Sequence, residues 1–151
     1  MIYYADTSVL VKRYVLETGS AWTRALMRSA AGNTVLTAQI SWIELYSALN
    51  RRLREQAISQ LRYARLKLLL SYVWPVQYVL VAQTPQLLET ARQLVERHPL
   101  RAYDAVQLAS AVNARQSLFS SPTTITFLFA DKQLLAAAQT EGFVTDNPNL
   151  H

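Results

Sequence analysis

Short apolar runs alternate with amphipathic stretches along this chain. Ile2 to Ala5 is apolar or aromatic at every position and predicts a buried strand. Residues 7–15 read as a short helix and residues 18–30 as a second. Gly32-Asn33 marks a turn before a short strand, TVLT, over 34–37. A helix follows over about 38–55, with apolar positions at Ile40, Ile43, Ala48 and Leu49, and another over about 57–73. Leu68 to Ala82 (LLLSYVWPVQYVLVA) is the most apolar stretch. It is short for a bilayer span and is interrupted by Pro75 and Gln77. It therefore reads as a helix end, a break at Trp74-Pro75, and a buried strand over 76–81. Thr84-Pro85 has the form of an N-cap followed by proline at the first helical position, opening a helix to about Arg97 that His98-Pro99 ends. Then come a helix over about 100–115, a polar loop SLFSSPTT, a strand over 125–129, a helix over 131–141 closed by Gly142, and a short strand over 143–145.

Strands that are continuous apolar runs, separated by helices, predict an α/β fold. The expected architecture has three layers: a central, mostly parallel sheet of about five short strands flanked by helices. A length of 151 residues suits a single domain over 1–151. In such sheets the functional site lies outside the carboxyl ends of the strands.

Composition narrows the reading. Half of the residues are hydrophobic and Gly and Pro are few, as in globular chains. Cysteine is absent, which excludes disulfides and thiolate zinc sites and fits a cytoplasmic location. The first residues form a strand pattern rather than a basic segment before an apolar core, so no secretory signal is expected. The formal charge is +5, and arginine supplies 12 of the 15 basic residues. A basic excess built from arginine is compatible with phosphate recognition.

The acidic residues are more informative. There are four aspartates, and two of them, Asp6 and Asp131, directly follow predicted strands. Both are then expected at the carboxyl edge of the sheet. Helix capping accounts for either one alone. Glu44 lies on a helix with Ile40, Ser41, Ser47 and Ala48 one turn away, which is not an obviously solvated face. A boundary carboxylate paired with Arg51 is the structural alternative. Asp104 stands near a helix start, where the dipole and Arg101 offer another. One shared purpose is simpler than four separate ones. Two carboxylates about 5 Å apart at an effective dielectric of about 20 repel by roughly 3 kcal/mol. Total domain stability is only about 5–15 kcal/mol. A four-carboxylate cluster therefore requires protonation or bound cations. Oxygen ligands without His or Cys select Mg²⁺ or Mn²⁺, and a water activated by such an ion can attack a phosphodiester. Thr7 and Ser8 could orient a carboxylate or such a water, or could simply cap the helix. Asp146, past the last strand, is not expected to be a ligand.

DTSVLVKRYVLETGS, the Glu in SWIELYSAL, LRAYDAVQLASA and FLFADKQLLAAAQTEGF, in that order, resemble the PIN-domain family, and most of all its VapC-type toxin branch from prokaryotic toxin–antitoxin pairs. The resemblance spans Ile2 to about Thr145. It implies a parallel sheet flanked by helices and Mg²⁺- or Mn²⁺-dependent endoribonuclease activity. The family's acidic cluster carries onto Asp6, Glu44, Asp104 and Asp131, and its hydroxyl onto Ser8, with Thr7 beside it. Homodimers are implied, as is a small cognate antitoxin, VapB-like, whose tail blocks the acidic pocket.

An acidic pocket repels RNA unless cations and a basic rim compensate. Lys12, Arg13, Arg51 and Arg52 are the candidate phosphate contacts, with Arg54, Arg62, Arg65 and Lys67 nearby in sequence. Each of these arginines could equally be an ordinary solvated surface residue. The two histidines, His98 and His151, suit neither a general base nor a Ser–His–Asp arrangement. No GxxxxGK[ST] is present. Two other readings stay open: a metal-dependent DNA nuclease or phosphohydrolase, and a non-catalytic RNA-binding module.

Overall fold

A computed structural model of the chain describes residues 1–117 and 124–151. Its elements in chain order are β1 (Ile2–Ala5), α1 (Thr7–Tyr14), α2 (Ser20–Leu26), β2 (Thr34–Ala38), α3 (Ser41–Arg54), α4 (Gln60–Gln77), β3 (Tyr78–Val81), α5 (Pro85–Arg97), α6 (Ala102–Ser117), β4 (Ile125–Leu128), α7 (Lys132–Thr140) and β5 (Val144–Asp146), with 3-10 turns at Ser29–Ala31 and Pro148–Leu150. The five strands form one parallel sheet in the order β3-β2-β1-β4-β5. The expected α/β architecture is therefore present.

The strand alternation decides which layer each side chain joins. Tyr4, Leu36 and Phe127 point to one face and pack with Leu87, Leu94, Leu108 and Leu134 of α5, α6 and α7. Tyr3, Ala5, Val35 and Leu128 point to the other, against Val9, Leu45, Leu49 and Leu70 of α1, α3 and α4. Both faces of β1 are thus covered, which is why its sequence reads as an unbroken apolar run. Strand order reverses at β1: β2 and β3 lie on one side of it and β4 and β5 on the other. The crevice at such a switch point, beyond the strand carboxyl ends, is where the end of β1 delivers Asp6.

Three expectations change. The helix expected over 18–30 is shorter, ending at Leu26 before the 3-10 turn. No break falls at Trp74-Pro75, because α4 continues to Gln77. A proline in the last turn removes a single ladder bond. Trp74 meanwhile holds the helix in place, its ring packed 5.0 Å from Trp42 and 5.1 Å from Tyr78. The following strand is not fully buried: β3 is an edge strand, and Val79 and Leu80 are exposed. The loop expected over SLFSSPTT falls, apart from its two end residues, outside the described residues.

Gly19 opens α2 in a left-handed conformation, φ +80°, directly against the carboxyl-terminal turn. A Cβ there would sit 2.1 Å from the Pro148 carbonyl oxygen. Gly32 is also left-handed, φ +63°, but a Cβ on it meets nothing within 4 Å. Gly19→Ala should therefore lose about 2–4 kcal/mol, combining backbone strain with overpacking. Gly32→Ala should lose about 1 kcal/mol. Urea denaturation of the two variants measures the difference; equal losses would contradict the packing at Gly19.

Candidate active site

Asp6 caps α1. Its Oδ1 accepts from the Ser8 hydroxyl at 2.7 Å and the Val9 amide at 3.2 Å, and its Oδ2 from the Ser8 amide at 2.9 Å. The capping alternative is thus realised, but it does not exhaust Asp6. The residue is only 4% exposed. Burial pushes its carboxyl from an ordinary 3.8 up to about 7; the Ser8 and Val9 bonds pull it back, and the charge of Glu44 raises it further. A surface cap would show none of this desolvation.

Glu44 reaches the same crevice from the first turn of α3. Its Oε2 accepts from the Thr7 hydroxyl at 2.6 Å and from Gln107 Nε2 at 2.7 Å. One hydroxyl of α1 therefore fastens each carboxylate: Ser8 holds Asp6 and Thr7 holds Glu44. The Ser8 hydroxyl also accepts from the Ala130 amide at 3.3 Å, tying the segment between β4 and α7 to the start of α1.

Asp131 caps α7, accepting from the Gln133 amide at 2.7 Å, and its carboxylate is solvent-facing. Asp104, in the first turn of α6, is half-buried. Burial, and then the charge of Asp131, raise its carboxyl above the usual range, while the charge and amide of Arg101 pull it down. The charge of Glu44 is thus felt at Asp6, and that of Asp131 at Asp104. Among the described residues no three acidic or histidine side chains gather closely enough to share one ion. Asp6 and Asp131 accept from helix amides, and Glu44 accepts from Thr7 and Gln107.

The donor set nevertheless fits a divalent cation. All four are hard oxygen donors, and Mg²⁺ needs only one or two protein carboxylates because it keeps several waters. None of the four forms an ion pair with Lys or Arg among the described residues. Among the described residues, the donors that Asp6 and Glu44 accept from are all neutral.

Gln107 was not singled out by sequence reasoning. It is 2% exposed, and its amide links the site to the sheet. Oε1 accepts from the Tyr4 hydroxyl at 2.7 Å, and Nε2 donates to Glu44 and, at 3.0 Å, to the Ser41 hydroxyl. The one signal available was its position: a long polar side chain one turn after Asp104 in an otherwise apolar stretch, AVQLASA.

Three of the four candidate phosphate contacts are committed elsewhere. Lys12 is 5% exposed and bonds Glu17 at 3.1 Å and the Thr18 carbonyl at 2.9 Å. Arg52 pairs with the same Glu17. Arg13 donates to the Tyr78 hydroxyl at 3.0 Å and to Gln77. Lys12 and Arg13 fasten α1 to its surroundings, and Arg52 ties α3 to the segment that follows α1. Only Arg51 among the four is exposed and lines an open groove beside Glu44.

A family model described as the PIN domain matches residues 3–123. The chain belongs to the PIN-domain family. Members of that family are typically nucleases, and they generally use divalent metal ions. Among curated protein sequences none matches this chain. Solved structures share the PIN fold at low identity. A chain of a toxin–antitoxin complex from Klebsiella pneumoniae is 17% identical, with a TM-score of 0.60 and 97% of each chain covered. A chain of VapBC2 from Rickettsia felis, bound to a DNA fragment from its promoter, is 14% identical, with a TM-score of 0.60 over 97% of this chain and 98% of that one. A chain of FitAcB from Neisseria gonorrhoeae is 18% identical, with a TM-score of 0.61 over 98% of both.

The raised carboxyl of Asp6 sets a pH dependence for this PIN domain. A carboxyl whose folded value exceeds its unfolded value binds more protons folded than unfolded. Its stabilising contribution is complete below about pH 3.8 and is lost as the pH rises through about 7. Asp6→Asn removes that loss and leaves a roughly constant cost for the altered cap. The stability of Asp6→Asn relative to wild type, in EDTA, should therefore rise between pH 4 and pH 8, by up to about 4 kcal/mol. Urea denaturation across that range measures it, and a pH-independent difference would contradict the assigned environment of Asp6.

Proposed function

We propose that this PIN domain is a metal-dependent endoribonuclease, the toxin of a type II toxin–antitoxin pair of the VapC type, acting in the cytoplasm. The observation that carries the reading is the Asp6–Glu44 pair. Two carboxylates sit at the carboxyl end of the central strand, one of them buried, with no ion-pairing cation from the described residues. Such a pair is costly as a structural device, since about 1 kcal/mol of capping does not offset the burial of a carboxylate beside another. It is expected of a site that receives a divalent ion.

Asp6 and Glu44 would hold Mg²⁺ or Mn²⁺, with Asp104 and Asp131 as the second carboxylate pair. A divalent cation there supplies Lewis acidity toward a phosphodiester and its attacking water. The chain's own residues do the positioning. Ser8 and Val9 fix the Asp6 oxygens; Thr7 and Gln107 fix Glu44. The toxin–antitoxin complexes named above share this fold, which supports a small antitoxin as partner. A row of exposed apolar side chains on α4 (Leu61, Leu68, Leu69, Tyr72 and Val76) supports a protein partner or homodimer, because grouped apolar surface marks interfaces. No helix among the described residues is long and apolar enough to cross a membrane.

The test is cleavage of single-stranded RNA by the purified chain in Mn²⁺, alongside DNA and a generic phosphoester. Asp6→Asn and Glu44→Gln should each lower RNA cleavage by about 10²-fold or more while the fold persists. Mn²⁺ should raise the melting temperature of the wild type more than that of Asp6→Asn. Cleavage that survives both EDTA and Asp6→Asn would overturn the mechanism.

A further inference from the structure

Alongside Glu44, α3 and the start of α6 border an open groove of about 480 Å³ whose lining includes Ile40, Ile43, Glu44, Arg51, Arg54 and Tyr103. Its lining is of two kinds. Ile43 and Tyr103 are 66% and 60% exposed, a large aliphatic and a large aromatic side chain held out in solvent. Arg51 and Arg54 are exposed too, and neither forms an ion pair among the described residues. Glu44, the carboxylate among these six residues, already accepts from Thr7 and Gln107. The groove therefore offers exposed apolar and aromatic surface beside two guanidinium groups without an ion pair among the described residues.

We propose that this groove seats an unpaired segment of an RNA substrate next to the cleavage site, with one base stacked on Tyr103 beside Ile43 and neighbouring phosphates held by Arg51 and Arg54. The inference rests on the nuclease reading above and adds the substrate's conformation and the residues that select it. Aromatic stacking needs an exposed base face, and in a duplex those faces are occupied by neighbouring bases. Forked guanidinium groups suit the phosphates between stacked bases. Tyr103 directly precedes Asp104, so a base stacked on it is indexed to the second carboxylate pair. On the other side of Arg51 a smaller groove, about 280 Å³, includes Thr7, Ser8 and Ala130 in its lining. Arg51 lines both grooves, so a strand leaving the Tyr103 groove past Arg51 meets the hydroxyls that hold Asp6 and Glu44.

The experiment measures binding of the full chain to a short single-stranded RNA carrying 2-aminopurine, with Ca²⁺ in place of Mg²⁺ to keep the strand intact. Stacking should quench the 2-aminopurine. Tyr103→Ala should abolish the quench and weaken binding about 5- to 150-fold, while Tyr103→Phe should retain both. Arg51→Ala and Arg54→Ala should each flatten the dependence of log affinity on log salt by about 0.7. A duplex of the same sequence should bind without dependence on Tyr103. Affinity that Tyr103→Ala leaves within twofold of wild type, or an unchanged salt slope, would overturn the groove assignment and leave the nuclease reading standing. Single-stranded DNA bound as tightly, with the same Tyr103 dependence, would overturn the RNA assignment. No binding of RNA by the wild type would overturn both readings together.

Discussion

A carboxylate buried at the end of the central strand is the constraint on which the rest of this structure depends. Asp6 leaves β1 at the point where the sheet order reverses, and the helix it caps begins one residue later. That single position joins three demands: ending the strand, starting α1, and presenting an oxygen to the crevice. The first two are met by local hydrogen bonds that any aspartate N-cap would make. The third is visible in the desolvation of the carboxyl and in the proximity of Glu44, neither of which capping requires.

The surrounding network is organised to hold these two carboxylates in place without neutralising them. Thr7, Ser8, Gln107 and the Val9 amide are all uncharged donors. An arginine in the position of Gln107 would cancel the charge of Glu44 and make the site a structural ion pair. A buried amide that also answers Tyr4 and Ser41 fixes Glu44 and leaves its charge available. The cations of α1 face away from this task. Lys12 is locked under Glu17, and Arg13 against Tyr78, where they anchor the helix whose first turn carries the site.

Much of this was legible in the sequence, for a physical reason. β1 is covered on both faces, so it is an unbroken apolar run, and the aspartate at its end stands out sharply. Glu44 stood out from the small or apolar residues one turn away, whereas Asp104, flanked by Arg101 and Gln107, did not. What was not legible depended on side-chain direction. Sequence spacing could not tell that Lys12 turns inward to Glu17 while Arg51 stays in solvent, nor that Gln107 reaches across from α6 to α3. The continuation of α4 through Pro75 was missed because the packing of Trp74 against Trp42 and Tyr78 overrides the local breaker signal.

Protonation of Asp6 reports its burial beside Glu44 most directly, and ¹³C NMR titration of the aspartate side-chain carboxyls measures it. In metal-free buffer one aspartate should titrate near pH 7, and Glu44→Gln should move that midpoint downward. Saturating Mg²⁺ should bring it down further, since a cation favours the ionised form. An Asp6 carboxyl that titrates near 4 in metal-free buffer, and responds to neither Glu44→Gln nor Mg²⁺, would contradict the account.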